Sequence, residues 1–130
     1  MIMNIFSPIS KFKKIILKMK YRNYFIVNLD GKKIQTKENA VSALANIFNI
    51  NDLVDGNWDA LQDRLERPSY IIPENIHIFI DNSKCLFTND ELSKRIFLSI
   101  LQDTVEWWDG DVEKYVVEGK KKSFNVYLVD

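Results

Sequence analysis

The sequence predicts an α/β fold in which a three-stranded parallel sheet is packed mainly on one side by three or four helices. Three apolar segments rich in aromatic and β-branched residues have the pattern of strands: residues 24–29, 76–80 and 124–129. Amphipathic helical segments separate them, and strands joined by helical crossovers lie parallel. The chain has 130 residues, 46% hydrophobic and 28% charged. This composition suits one globular domain and excludes disordered, collagen-like and disulfide-rich proteins.

The first half of the chain supplies one strand and two helices. The first strand is followed by a helix that begins after the N-cap residue Thr36 and ends near Phe48. A turn-rich loop then leads to a second, shorter helix over residues 58–65, for which Asn57 is the expected N-cap. Pro68 cannot continue that helix.

The second half of the chain supplies the longest helix between two strands. The strand over residues 76–80 is apolar almost throughout, which predicts a central position in the sheet or cover on both faces. Thr88 and Glu91 have the spacing of a capping box and are expected to open the long helix. Trp107 and Trp108 follow at its end, where we expect them to pack into or beside the core.

The net charge of zero conceals an uneven distribution. Residues 1–22 contain six bases and no acid, whereas residues 23–130 contain 12 bases and all 18 acids, a net charge of −6. We therefore divide the chain into a basic N-terminal extension, residues 1–22, and a folded domain, residues 23–130. Because the whole chain offers no excess positive charge, we expect no direct binding of nucleic acid.

The basic extension has apolar residues at roughly helical spacing, with lysines between them. Its bases interrupt the apolar residues instead of preceding them, so it lacks the pattern of a signal peptide. No segment approaches the ~20 apolar residues of a membrane span. We favour a tail or a helix docked on the domain over a membrane-surface helix or a contact to an acidic partner, and membrane contact is not expected.

The sequence carries no pattern of enzyme chemistry. It lacks a glycine-rich phosphate loop, a nucleophile elbow and the spacing of a zinc site, so we expect no enzyme activity, no cofactor and no metal. The single cysteine, Cys85, permits no intramolecular disulfide and suits a reducing cytoplasm. The single histidine, His77, lies in an apolar strand and is expected to be a hydrogen-bonded structural residue.

Three acids lie close together around the start of the second helix. Asp55 precedes the helix, and Asp59 and Asp63 are four residues apart, so the latter two project from the same helix face. The helix dipole stabilises the negative charge of Asp59 in the first turn, and Arg67 has the i+4 spacing to form an ion pair with Asp63. A solvated acidic face is one interpretation, and a metal site is a weaker one because two helical carboxylates are too few ligands.

The stretch Gly-Asn-Trp-Asp-Ala-Leu-Gln-Asp-Arg-Leu, residues 56–65, closely resembles the loop and second helix of the barstar family, small inhibitors of extracellular bacterial ribonucleases. Residues 27–34 resemble the first strand and turn of that family, and the long helix and final strand are also similar. The resemblance covers about residues 24–130 and implies a barstar-like fold, which agrees with the three-stranded parallel sheet inferred above.

The resemblance implies that carboxylates held on a rigid helix imitate substrate phosphates and occlude the active site of a basic ribonuclease or related toxin. Asp63 would be the principal mimic and Asp59 a second contact, while the loop over residues 51–57 would fill the mouth of the cleft. The implied partner-binding residues are Leu53, Val54, Asp55, Asn57, Asp59, Gln62 and Asp63. We expect a cytoplasmic protein that is monomeric when free.

Two departures from the family pattern bear on the partner. Gln62 stands where the family often has an aromatic residue, and Leu53 and Val54 stand where aromatic residues are common. The cognate enzyme or toxin is therefore expected to differ. The alternative is an interaction domain on the same fold whose partner is not a nuclease, localised to a membrane through residues 1–22. A second acidic cluster, residues 106–113, is either a solvated turn or a further binding surface.

Overall fold

Within the part of the chain that the structure describes, the parallel sheet has four strands, in the order β1-β4-β3-β2. The computed structural model describes residues 3–50, 57–67 and 74–130. Within these ranges the elements are β1 (Phe6–Ile9), α1 (Lys11–Lys20), β2 (Phe25–Asp30), α2 (Lys37–Phe48), α3 (Trp58–Glu66), β3 (Asn75–Asp81), α4 (Glu91–Glu106), α5 (Val112–Tyr115) and β4 (Ser123–Val129). A single turn of π-helix, Trp107–Asp111, joins α4 to α5.

The predicted α/β class and parallel sheet are confirmed, but the predicted strand count of three is wrong. The fourth strand, β1, comes from the basic N-terminal segment and pairs with residues 126–129 of β4. It has only four residues and includes Pro8, which has no N–H to donate and is tolerated at a sheet edge. A strand this short, paired with residues 120 positions away in the chain, has no local sequence pattern by which to recognise it.

The helix ends follow the sequence prediction in α2 but not in α4. Thr36 caps α2 by accepting a hydrogen bond from the backbone N–H of Asn39, as expected. The predicted capping box at Thr88 is wrong, because Asp90 caps α4 and accepts from the N–H of Ser93. The backbone N–H of Thr88 instead donates to the side chain of Gln35, 53 residues earlier.

The main core lies on one face of the sheet, under α2, α3 and α4. It is formed by alternate residues of the central strands and by the inner faces of the helices, including Val27, Ile76, Ile78, Ile80, Phe124, Val126, Leu44, Leu61, Leu65, Phe97 and Leu101. β3 lies between β2 and β4, and its apolar residues are buried on both faces. The central position predicted for residues 76–80 is therefore confirmed.

A second, smaller core lies on the opposite face of the sheet, under α1. Phe79, Tyr127 and Val129 point to this face because successive side chains of a strand alternate, and Leu17 of α1 packs against them. Nζ of Lys14 forms an ion pair with Asp81, at 2.7 Å. The helices thus lie mainly on one side of the sheet, with α1 on the other. None of the helices within residues 3–50, 57–67 and 74–130 combines the length and the apolar composition that a transmembrane span requires.

Two asparagines tie the N-terminal segment to the sheet. Oδ1 of Asn125 accepts from the backbone N–H of Ile5 at 2.8 Å, while its amide donates to the carbonyl of Ile76. Nδ2 of Asn4 donates to the carbonyl of Lys122 at 2.8 Å. Residues that we assigned to an extension therefore contribute an edge strand and a covering helix, and the division at residue 22 stays a prediction.

His77 lies in this second core as a hydrogen-bonded structural residue, as expected. It is 3% exposed, its Nδ1 lies 2.8 Å from Oη of Tyr127, and the ring of Tyr21 stacks on it with centroids 3.8 Å apart. Burial, assisted by the charge of Lys20, lowers the pKa of His77 from 6.5 to about 4. Burial likewise raises the pKa of Tyr127. Both groups are neutral in the folded protein at neutral pH.

The first prediction concerns stability against pH. Between pH 6.5 and about 4 the unfolded chain binds a proton at residue 77 that the folded chain does not, so lowering the pH destabilises the fold. From pH 8 to pH 5 this contribution is about 2 kcal/mol. Chemical denaturation at both pH values measures it, and His77→Asn, which retains a polar atom near the position of Nδ1, should lose about 2 kcal/mol less over the same range. Equal losses in both proteins would contradict the assignment.

The second prediction concerns the N-terminal segment. We expect residues 23–130 to fold without it but to be less stable by about 3 kcal/mol, because removing β1 and α1 exposes the apolar side chains of the second core. Urea unfolding of the full chain and of the truncated chain measures the difference. Equal unfolding midpoints would show that residues 1–22 contribute nothing to the folded domain.

Candidate partner-binding surface

The helix that carries the predicted site, α3, is held at its N-terminus and along its inner face. Oδ1 of Asn57 accepts from the backbone N–H of Asp59 at 2.8 Å, so Asn57 is the N-cap as predicted. Leu61 and Leu65, one turn apart, are completely buried. The ring of Trp58 packs near the aromatic side chains of the core. These contacts fix which residues of α3 face outward.

The C-terminal end of α3 is fixed by a tryptophan of the π-helical turn. Nε1 of Trp108 donates to the backbone carbonyl of Leu65 at 2.9 Å, and the indole is 1% exposed. A helix ends with carbonyl groups that have no partner within the helix, and this bond satisfies one of them in the protein interior. Trp108 is thus a core residue, as expected. Trp107 is half-buried, and its Nε1 has no hydrogen-bond partner among the described residues.

Asp59 and Asp63 project to solvent from the outer face of α3, as predicted. Both residues are exposed, and Asp63 accepts from the guanidinium groups of Arg64, at 2.6 Å, and of Arg67. The predicted pairing of Arg67 with Asp63 is therefore present. Because the carboxylate of Asp63 is half exposed to water, these ion pairs contribute at most about 1 kcal/mol. The two arginines orient the carboxylate of Asp63, which remains 49% exposed.

Two further carboxylates lie beside these residues. Nε2 of Gln62 donates to Oε2 of Glu66 at 3.0 Å and to Oδ2 of Asp103, on α4, at 3.4 Å. Burial, together with the charges of Asp103 and Asp63, raises the pKa of Glu66, although hydrogen bonds from Gln62 and Thr104 oppose the shift. We call Asp59, Asp63, Glu66 and Asp103 the acidic face.

Two shallow grooves run along the acidic face, with Asp59 and Gln62 on the ridge between them. The first groove is also lined by Asp63, Glu66, Arg67 and Trp107. The second lies between α3 and α4 and is lined by apolar side chains with Arg95 and Asp103. An extended surface of this kind suits contact with another protein better than enclosure of a small molecule. Among residues 3–50, 57–67 and 74–130, no group of three or more His, Cys, Asp or Glu side chains could hold a metal ion.

The structure brings together four of the seven predicted partner-binding residues: Asn57, Asp59, Gln62 and Asp63. Leu53, Val54 and Asp55 lie outside the described residues. Sequence reasoning missed Glu66 and Asp103. Glu66 follows Asp63 by three residues, a spacing that places it on the same helix face and could have identified it. Asp103 lies on another helix, and no sequence signal connects it to α3.

The second acidic cluster, near the end of α4, takes part in local structure. Oδ1 of Asp109 accepts from the backbone N–H of Asn4 at 2.9 Å. Oδ1 of Asp111 lies 3.7 Å from Nζ of Lys114, and Oε1 of Glu113 lies 3.7 Å from Nζ of Lys121. These partners favour the interpretation of the cluster as a turn that holds the N-terminal segment.

Comparison with protein families matches residues 24–129 to the family model described as Barstar (barnase inhibitor). The match covers α3 and α4 with the whole acidic face, and begins at the residue before β2. A search of curated proteins found no match.

The third prediction tests how α3 is fixed. Trp108→Phe should lower the free energy of unfolding by about 2 kcal/mol, because it leaves the buried carbonyl of Leu65 without a donor. Trp107→Phe is the matched control, since it removes an indole N–H that has no partner among the described residues, and it should cost about 1 kcal/mol less. Urea unfolding of both variants gives the comparison, and equal losses would contradict the role of Trp108.

Proposed function

The chain belongs to the barstar family, whose members are inhibitors and not enzymes, and from this premise we propose that it inhibits a basic ribonuclease or a related toxin. The inhibitor occludes the active site of that protein, and its helix-borne carboxylates take the positions of substrate phosphates. We further propose that it acts in the cytoplasm and is monomeric when free. The acidic face on α3 and α4 is the observation that carries the proposal.

The chemistry of the acidic face fits the cleft of a ribonuclease. An enzyme that binds a polyanion lines its cleft with cationic side chains, which form strong charge-assisted hydrogen bonds with carboxylates. Asp63 is the principal phosphate mimic, because its carboxylate is exposed and already binds guanidinium groups. Asp59 is one turn away, roughly 6 Å along the helix axis, and reaches a second cation. The backbone of α3 holds both residues in place before binding, so little backbone conformational entropy is lost.

Glu66 lines the first groove and Asp103 lines the second, so these two carboxylates extend the negative potential into both grooves. Burial first, and then the charges of Asp103 and Asp63, disfavour the ionised form of Glu66 and raise its pKa. A partner's cation placed in the first groove relieves the repulsion and favours ionisation. The acidic face is therefore more stable in contact with a cationic surface than alone, which supports its assignment as an interface. The net charge of −6 on residues 23–130 adds steering towards a basic partner.

Gln62 makes the surface of this chain different from the common family pattern. Its amide links Glu66 to Asp103, so it bridges α3 and α4 where other members often present an aromatic ring. We propose that the partner contacts a polar ridge here, and that it differs from the ribonucleases whose inhibitors carry the aromatic residue. A partner that is not a nuclease is the alternative, which the same experiment distinguishes.

The fourth prediction concerns the two aspartates of α3. Asp63→Ala should weaken binding by about 3 kcal/mol, roughly 150-fold, because a cation of the partner is left without its charge-assisted bonds in a desolvated interface. Asp59→Ala should weaken it less, by about 1–2 kcal/mol. Calorimetric titration and inhibition assays against a panel of small basic ribonucleases, and against any toxin encoded beside this protein, measure both effects.

Glu38→Ala provides the matched control. Glu38 is an exposed acid in the first turn of α2, so its removal changes the net charge and the helix dipole interaction as Asp59→Ala does. It should leave binding nearly unchanged. Equal weakening by Glu38→Ala and Asp63→Ala would indicate a general charge effect, and wild-type binding by both α3 variants would refute phosphate mimicry. Binding only to proteins without nuclease activity would support the alternative partner.

A further inference from the structure

The outer face of α1 carries large apolar side chains that point to solvent. Phe12, Ile15, Ile16 and Met19 are 72%, 59%, 49% and 69% exposed. Their positions follow the i, i+3, i+4, i+7 spacing of one helix face. Exposed apolar residues are common singly, but a contiguous row of four on one helix marks an interaction surface. We call these four residues the apolar row.

The arrangement of α1 around its axis places this row opposite the sheet. At 3.6 residues per turn the four side chains fall within an arc of roughly 100°. Leu17, which packs on the second core, points the other way. Lysines border the arc on both sides: Lys11 and Lys18 on one, Lys13 and Lys20 on the other. An apolar arc between two basic borders is the pattern of a helix that lies in the surface of an anionic membrane.

The sequence alone favours a helix docked on the domain and no membrane contact, but the exposure of the apolar row reverses that expectation. We propose that α1 binds the protein peripherally to an anionic lipid bilayer. The apolar row enters the boundary between headgroups and acyl chains, and the bordering lysines contact lipid phosphates. The six bases and absence of acids in residues 1–22 give the charge complementarity. A second copy of this chain is a poorer occupant, because pairing two such faces would bring eight lysines together. α1 has 10 residues and is far too short to span the bilayer, so it lies along the surface.

The position of α1 in the fold leaves the acidic face free. α1 covers one face of the sheet, and α3 and α4 cover the other. A bilayer bound at α1 therefore meets the basic side of the molecule, while the acidic face points away from the anionic lipid. The two surfaces can be occupied together, and the membrane proposal does not depend on the identity of the partner.

Cosedimentation of the full chain with vesicles is the test. We expect at least about tenfold stronger binding to phosphatidylcholine vesicles that contain about one-third phosphatidylglycerol than to pure phosphatidylcholine, with a decrease as salt is raised. Phe12→Ser combined with Ile16→Ser should reduce binding at least about tenfold. Both side chains are exposed, so the fold should be retained, which thermal unfolding verifies.

Leu92→Ser is the matched control, because Leu92 is a 63% exposed apolar residue on α4, and it should bind vesicles like the wild type. Equal binding to neutral and anionic vesicles, or wild-type binding by the double variant, overturns the proposal. A dimer in sedimentation equilibrium that the double variant abolishes, without vesicle binding by the wild type, assigns the row to a second copy instead. Asp63→Ala is expected to weaken partner binding but to bind vesicles like the wild type. A loss of vesicle binding can therefore be distinguished from a loss of inhibition.

Discussion

The burial of β3 and β4 on both faces of the sheet is the constraint on which the rest of the structure depends. A parallel sheet whose central strands are apolar on each side must be covered by helices on each side. α2, α3 and α4 satisfy this requirement on one face, but their connections leave Phe79 and Tyr127 uncovered on the other. The N-terminal segment fills that position with α1, and β1 extends the sheet beside β4.

The same constraint decides which side chains each covering helix offers to solvent. α3 commits Leu61 and Leu65 to the core, so its carboxylates necessarily face outward. α1 contributes little more to the second core than the packing of Leu17 and the ion pair of Lys14, because this core is small. Most of its apolar residues therefore remain exposed, which a helix selected only to cover the sheet would not require. The side chains that α3 and α1 leave exposed are therefore the ones that we assign to binding.

The extent of sequence prediction follows from how local each signal is. Residues 76–80 and the cap at Asn57 were recognisable because the pattern and its cause lie within a few residues of each other. β1 was missed because its pairing partner lies at the other end of the chain. The capping box predicted at Thr88 was wrong because the backbone N–H of Thr88 donates its hydrogen bond to the distant Gln35. Asp59 and Asp63 were found by helical spacing and family resemblance, whereas Asp103 joins them only through the packing of α4 on α3.

Opposite charges on the two faces explain how a chain of zero net charge can present two strongly charged surfaces. The helix layers lie roughly 10 Å on either side of the sheet, so α1 and α3 are separated by roughly 20 Å. This exceeds the Debye length of about 8 Å at physiological ionic strength, so neither surface is neutralised by the other. A cationic protein approaching α3 and an anionic surface approaching α1 each experience mainly the nearer charge. The sheet thus separates two electrostatic surfaces that would cancel if they lay on the same side.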